Sequence, residues 1–438
     1  MPGLYLPTET EFDPKSDDFI SPFLSKERKY RHFDLPIGKQ ERSNLINFSI
    51  EHDVHRFLPL LGFTEEFRRV SFDASGLRSI KIKKRPIRYA SHKDSNYLQH
   101  YSNYISKYYD AAIKEDGTDK SILAYRKGGA TNIHHAKSLF DEIRIRKNCK
   151  VFTIDISGFF DSIDHTLLKK EVCALLKCPL LSGHHFTIWR NITRYSWVET
   201  SDIDKLLGKK RERQGRICSH KDFIDHIRGR DLGLIRTHDQ TYGIPQGTPI
   251  SGLYANIYLR TFDREISEYI EKYSGSYRRY SDDIAIVMPL DTKRKHIISI
   301  LEKFLGEFEL TISHEKTECA KFEAGKLVSE KPLQYLGFTY DGEQTLIRQS
   351  SLESYRRKMK RGIHSKLVAA KKKKIPSSEV FRRELLSRYT HLGRRRNFLR
   401  YAYKAADILN SEAIKKQVKR HTTWFNRAFQ SEIKKIYG

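Results

Sequence analysis

Two short apolar runs, VFTIDI at 151–156 and IAIVM at 284–288, have the pattern of strands buried inside a sheet. Apolar positions recur every three or four residues in HTLLKKEVCALL (165–176) and KHIISILEKFLGEF (295–308), which predicts amphipathic helices with one face on a core. Upstream, SNLINFSIEHDVHRFLPLLGF (43–63) reads as helical. In KIKKRPIRYA (81–90) Lys and Arg alternate with Ile, as in a strand pair or ribbon with one charged face. Residues 1–40 are weakly periodic and are expected to form an irregular lead-in that packs late. β-rich and helical runs alternate from 151 to 345, with acidic residues at the strand ends. Beyond 351 the periodicity is helical, with one proline, Pro376. No internal repeat or long low-complexity linker interrupts the chain.

Charge narrows the picture. The 438 residues suffice for two or three packed subdomains. They carry a formal net charge of +27, which calls for a polyanionic partner, nucleic acid being the usual one. Acidic lipid is the alternative, but no apolar run approaches the ~20 residues of a spanning helix. The N-terminal text MPGLYLPTETEFDPKSDD lacks the basic-then-apolar order of an export signal, so a cytoplasmic location is expected. Five cysteines without a C-x-x-C pair read as reduced thiols, with neither a zinc site nor a disulfide frame. Residues 351–438 hold 25 Lys and Arg against six Asp and Glu, which is 19 of the 27 excess charges. Any one lysine run, such as 371–374, is usually a solvated helix face. Concentrated in one helical module, the charge predicts a nucleic-acid clamp. Tyr389, Phe398, Tyr401, Tyr403, Trp424 and Phe425 interleave with it and, at helical spacing, are mostly expected in a core.

The candidate chemistry lies in two acidic segments. Phosphoryl transfer from a nucleoside triphosphate needs charge neutralised on both the attacking and the leaving oxygen, which two divalent ions bound by carboxylates supply. In VFTIDISGFFDSIDH, Asp155 ends an apolar strand; in YRRYSDDIAIV, Asp282 and Asp283 sit at a tight turn before another. An isolated Asp-Asp is usually a solvated turn. Flanked by strands, and with a second strand-end Asp upstream, the pair repels itself unless a cation intervenes. Asp161 and Asp164 read as helix-start residues, Asp164 near the N-cap. Between the segments, TYGIPQGTPISGLYANIYL (241–259) breaks regular structure and opens a helix near Ser251.

At these residues the chain resembles the reverse transcriptase family. Asp155 to Asp164 resemble its first catalytic motif, GIPQGTPIS (243–251) its template- and nucleotide-positioning motif, and Tyr280–Asp283 its Y-x-D-D metal turn. LTISHEKTE (310–318) is similar to the motif whose lysine, here Lys316, lies near the triphosphate. QYLGF (334–338) is similar to the primer-grip hairpin, and AYRKGGATN (124–132) to the fingers motif whose arginine, here Arg126, contacts the nucleotide. The resemblance implies an α+β right-hand polymerase fold: a lead-in at 1–40, fingers at 41–150, a palm of antiparallel sheet plus helices at 151–345, and a basic helical thumb at 346–438. It implies RNA-directed DNA synthesis from dNTPs with two Mg²⁺ ions, Mn²⁺ being able to substitute. The metal ligands would be Asp155, the Ile156 carbonyl, Asp282 and Asp283. Gln246 and Gly247 would line the nascent base pair, and Phe160 would be a steric gate against a 2′-OH, unless it is core and Phe159 faces the site.

Within the family, RPIRYASHKDSNYLQHYSNYISKYYD (85–110) and SRYTHLGRRRNFLRYAYKA (387–405) are similar to bacterial defence-associated enzymes of the unknown-group and abortive-infection-like kinds. That implies an antiviral role with a structured non-coding RNA as template or cofactor, and a homo-oligomer or partner protein is compatible with it. Group II intron-type and retron-type enzymes, and an RNA-dependent RNA polymerase, are the rivals. Retron thumb signatures and RNase H text are absent; Phe160 and the Y-S-D-D form weigh against RNA synthesis. Of the basic ribbon's Lys83, Arg85 and Arg88, Arg85 is the one expected at the triphosphate or template. KLLGKKRERQGRICSHKD (205–222) reads equally as an RNA-binding element or a surface insertion. His134-His135 and His184-His185 lack a third ligand at metal spacing and are expected as surface or core histidines.

Overall fold

The computed structural model describes residues 30–52, 55–72, 77–181, 183–208, 215–229, 233–380, 382–393 and 397–438. Most of the 1–40 lead-in, and residues 209–214 of the basic 205–222 segment, lie outside these. The described remainder of the lead-in is docked. The Tyr30 hydroxyl donates to the Ala90 carbonyl (2.9 Å), and its ring stacks on His92.

A helix, α1 (Lys39–His52), comes first. The helical reading of 43–63 fails at its end, because β1 (Leu60–Phe72) begins one residue after Pro59. Proline removes a backbone donor and disfavours helix in the residue before it, and the following apolar run finds two strand partners. β1 pairs from Leu61 to Phe72 with β2 (Arg78–Tyr89), which contains most of the basic ribbon text. Helices α2 (His92–Glu115) and α3 (Asn132–Arg146) follow, and then β3 (Cys149–Asp155).

Next come α4 (His165–Leu176), α5 (Gly183–Thr193), β4 (Ser196–Glu199), α6 (Thr200–Leu207) and β5 (Arg236–Thr237). β4 pairs in parallel with β1 and antiparallel with β5, giving a four-stranded sheet of order β2-β1-β4-β5. Part of the region between the two acidic segments is thus integral to the sheet built on β1 and β2. Val198, Ile203, Ile217 and Ile227 share one small core with Leu61 of β1. The sequence boundary at 150 misses this, because a parallel pairing leaves no local signature.

The central sheet is antiparallel, of order β6-β7-β3-β8-β9. It is reached through α7 (Ser251–Tyr258) and α8 (Arg260–Lys272) and contains β6 (Ser276–Tyr280), β7 (Asp283–Met288), β8 (Glu318–Glu323) and β9 (Lys326–Leu327). α9 (Arg294–Gly306) connects β7 to β8. A second antiparallel sheet holds β10 (Leu333–Tyr335), β11 (Phe338–Tyr340) and β12 (Thr345–Ile347). Leu336 and Gly337 both have positive φ, as a two-residue hairpin turn with this hand demands.

The basic module contains α10 (Gln349–Lys372), α11 (Arg383–Tyr389), α12 (Phe398–Ile408), α13 (Glu412–Val418) and α14 (His421–Tyr437). It splits between two cores. Met359, Ile363 and Leu367 of α10 pack with Phe425 and Phe429 of α14 in a core of their own. Leu399, Ala402, Ala406, Ile414 and Val418 instead join Val151, Val287 and Phe322 behind the central sheet. Of the six flagged aromatics, Phe425 is fully buried and Tyr389, Phe398, Tyr401, Tyr403 and Trp424 are partly buried against these cores. Among the described residues no helix is long and apolar enough to cross a membrane.

One buried group makes stability sensitive to acid. His32 is fully enclosed beside β2, and burial pushes its pKa from 6.5 to about 4 despite the nearby Asp34. Unfolding restores the ordinary value, so between pH 6.5 and 4 the unfolded chain binds the extra proton and stability is lost as pH falls. Replacing His32 with Gln should shrink the drop in unfolding free energy between pH 7 and pH 5 by ~1–2 kcal/mol, measured by urea titration. An unchanged drop would mean that the imidazole is not held neutral.

Candidate active site

The two acidic segments meet because β3 and β7 pair antiparallel in a register that sets Asp155 directly opposite Asp283. Residues opposite one another on such a pair project from the same face. The β6–β7 turn has Tyr280 paired with Asp283, leaving Ser281 and Asp282 at its tip, Ser281 with φ +63°. Past the end of β3 the Ile156 amide donates to the Asp282 carbonyl (3.0 Å), and the Ser313 amide donates to the Asp155 carbonyl (2.7 Å). Three distant pieces of chain are thereby tied at one sheet end.

Electrostatics mark this end as costly without a counter-charge. Burial, then the neighbouring Asp155, raise the pKa of Asp282. Burial, Asp282 and Asp155 push Asp283 up to about 6, although its tip is open to solvent. Lys83 and Arg85 oppose the shift at Asp282, while Arg348 and Lys316 oppose it at Asp283. The Lys316 ammonium forms an ion pair with the Asp155 carboxylate. Among the described residues no three His, Cys, Asp or Glu side chains are gathered closely enough to hold an ion as they stand. The backbone register brings Asp155, Asp282 and Asp283 to one sheet end, where the Asp155 side chain pairs with Lys316. The donor set nevertheless fits a hard divalent ion. It is made of carboxylates with raised pKa values on rigid, hydrogen-bonded backbone, beside an Ile156 carbonyl to which no hydrogen bond is seen among the described residues.

Beneath the turn lies a polar network that the sequence reading missed. Arg279 is 0% exposed; its Nε donates to the equally buried Asp263 (2.7 Å), and Nη1 donates to Asn256 Oδ1 (3.1 Å) and to the Ser281 carbonyl (3.2 Å). The Tyr277 hydroxyl also donates to Asp263 (2.6 Å). The strand alternation of YRRY carried a signal for this, since it sends Arg279 to the face opposite Tyr280. Nothing local identified Asp263 as its partner.

The remaining candidates divide. Phe159 is core, and Phe160 is half-buried with its ring edge-on to Tyr125 (6.3 Å between centroids, 88°), so Phe160 is the more open of the two phenylalanines. Asp164 caps α4 by accepting from the amides of Thr166 and Leu167. Gln246 Nε2 donates to Asp161 (3.3 Å), and the Gln246 carbonyl accepts from the Arg88 amide (2.8 Å). A Cβ on Gly247, at φ +120°, would stand 2.8 Å from the Arg88 carbonyl. Glycine is therefore required here by the close approach of β2, which is a different demand from lining a base pair.

β2 alternates as the ribbon text implied. Arg85, Lys83 and Ile87 share one face, with the two cations acting on Asp282. Arg88 points the other way, buried over Trp197 (5.0 Å) and paired with Glu199 (2.8 Å). Arg126 is turned from the expected role: its guanidinium binds Asp110 (3.2 Å) and the carbonyls of Asp119 and Ile122 (3.4 Å to the latter). At the positive φ of Tyr125 (+58°) the chain sets the Tyr125 hydroxyl on Ser281 and leaves Arg126 among the protein's own acceptors. His185 accepts or donates to the Tyr101 hydroxyl (2.7 Å) within a helix-packing cluster. Tyr125 and Arg348 had no sequence signal.

A family model described as reverse transcriptase (RNA-dependent DNA polymerase) matches residues 96–340. No curated protein matches the chain. Among solved structures, apo telomerase from Candida tropicalis is similar at 14% identity and a TM-score of 0.42, over 95% of this chain and 68% of that one. A form truncated from its C-terminal domain matches at 12% identity and TM-score 0.41, over 72% of this chain and 61% of that one. A telomerase from Candida albicans bound to a fragment of telomeric RNA matches at 10% identity and TM-score 0.39, over 90% and 64%. The chain thus spans between 61% and 68% of the length of these structures.

Proposed function

The chain belongs to the reverse transcriptase family, and from that premise we propose that it copies an RNA template into DNA with dNTPs, using Asp155, Asp282 and Asp283 as its metal-binding carboxylates. The observation that supports this most is the β3–β7 register that sets Asp155 against Asp283. Two Mg²⁺ ions, held by these carboxylates and the Ile156 carbonyl, would neutralise charge on the attacking and leaving oxygens. Lys83 and Arg85 would meet the triphosphate from the fingers side, Lys316 from the palm, and Phe160 would lie beneath the sugar. Gln246 and Gly247 would hold the loop that borders the base pair against β2. The cationic thumb helices would grip backbone phosphates, which makes binding salt-dependent.

A finer placement, antiviral (phage) defence in the cytoplasm with an associated non-coding RNA, rests on the likeness of 85–110 and 387–405 to defence-associated enzymes. The purified protein should extend a primer on RNA with dNTPs in Mg²⁺ or Mn²⁺ and stop on chelation. No extension with either ion would end the polymerase reading, and equal use of ribonucleotides would point to RNA synthesis. Sequencing the nucleic acid that co-purifies separates a dedicated non-coding RNA from intron or retron transcripts.

A further inference from the structure

Tyr125 touches both the Phe160 ring and Ser281 of the acidic turn. Its hydroxyl shares a hydrogen bond with Ser281 Oγ (3.0 Å), and its ring meets Phe160 edge to face. A Cβ on Gly252 would lie 2.5 Å from the Tyr125 ring. Gly252 has no positive φ, so its missing side chain serves to admit that ring and nothing in the backbone requires it. Tyr125 itself adopts φ +58°, a region that costs an aromatic residue roughly 1–2 kcal/mol and glycine almost nothing. Such an outlier persists when the surroundings over-determine it, and here they do. The preceding Ala124 carbonyl accepts from Asn256 Nδ2 (2.8 Å), and the Leu123 amide donates to the Arg279 carbonyl (2.9 Å). The same buried network that holds the turn therefore holds Tyr125, while the residue stays 51% exposed.

We propose that Tyr125 is a specificity-determining positioning residue: its ring fixes Phe160 at the depth that excludes a ribonucleotide 2′-OH, and its hydroxyl locks that wall to the Ser281-Asp282 turn. This rests on the polymerase reading and on Phe160 as the gate. Phe160 is only half-buried, so without Tyr125 its ring can tilt away and open the space beneath the sugar. Loss of the hydroxyl alone leaves the wall in place and loosens only the turn.

The test is steady-state primer extension with matched dNTP and rNTP on wild type, Phe160→Ala, Tyr125→Ala, Tyr125→Phe and Gly252→Ala, with thermal melting as the fold control. Phe160→Ala and Tyr125→Ala should each reduce the dNTP-over-rNTP ratio of kcat/KM by about tenfold or more. Tyr125→Phe should keep the ratio within about twofold while lowering kcat for dNTP. Gly252→Ala, which displaces the ring without deleting it, should shift the ratio in the direction of Tyr125→Ala. A merely structural tyrosine would slow both nucleotides alike. The proposal is overturned if Phe160→Ala changes the ratio and Tyr125→Ala, folded, does not. An unmoved ratio in Phe160→Ala removes the gate and the brace together; a wild type that adds no nucleotide fails the polymerase reading first.

Discussion

Replacing Asp282 and Asp283 together with Ala is expected to lower nucleotide addition by roughly a thousandfold or more while leaving nucleic-acid affinity within about twofold. The first effect follows from removing two of the three carboxylates that the β3–β7 register assembles. The second follows because the basic surface proposed to meet phosphate, above all 351–438, is untouched. Folding should not suffer. Both carboxyls have raised pKa values in the folded protein, that of Asp283 near 6. A raised carboxylate pKa gives a contribution that is present below the unfolded value and lost as pH rises through the folded value, so at pH 8 these groups oppose folding. In metal-free buffer the double variant should melt at or above the wild-type temperature. Single-turnover extension, filter binding and a melting curve decide the matter. Synthesis within tenfold of wild type would remove these residues from the chemistry.

Arg279→Met should cost about 3–5 kcal/mol of unfolding free energy, the largest stability loss expected from any single change near the turn. Both Arg279 and Asp263 are wholly buried, so the substitution strands a carboxylate without its counter-charge. It also removes the donors to Asn256 and to the Ser281 carbonyl. Removing both charges is a different matter, since a buried ion pair can be replaced by apolar side chains at little net cost. Adding Asp263→Leu to Arg279→Met should therefore recover most of the loss in a urea titration. Activity should recover less, because the Ser281 carbonyl still lacks its donor and the Ser281-Asp282 turn stays loose. A single variant within ~1 kcal/mol of wild type, or a double variant no better than the single, would show that the network does not carry this load.

Local text sufficed for several parts of the site. VFTIDI and IAIVM became β3 and β7 because runs of β-branched and apolar residues suit a sheet covered on both faces. HTLLKKEVCALL became α4 over the whole of 165–176, with the cap at Asp164. The partners of Arg126 were not legible, because Asp110 and the carbonyls it binds carry no local mark, and a positive φ is not what a tyrosine announces. FLPLLGF misled for the opposite reason, its apolar spacing being compatible with either period until β2 and β4 claimed it.

By itself, then, the order of residues determined the strands, the helices, the acidic turn and the charge that calls for a polyanion. All of these depend on period, on turn chemistry and on net charge, which act over a few residues or over the whole chain. Only the tertiary structure decided which charge answers which. It set Lys316 on Asp155, Arg279 on Asp263, Arg88 on Glu199 and Arg126 on Asp110, and it placed Tyr125 between Phe160 and Ser281. It also split the basic C-terminal helices between two cores. These pairings join residues tens to hundreds of positions apart, and their energies depend on distance and burial, which exist only once the chain has folded.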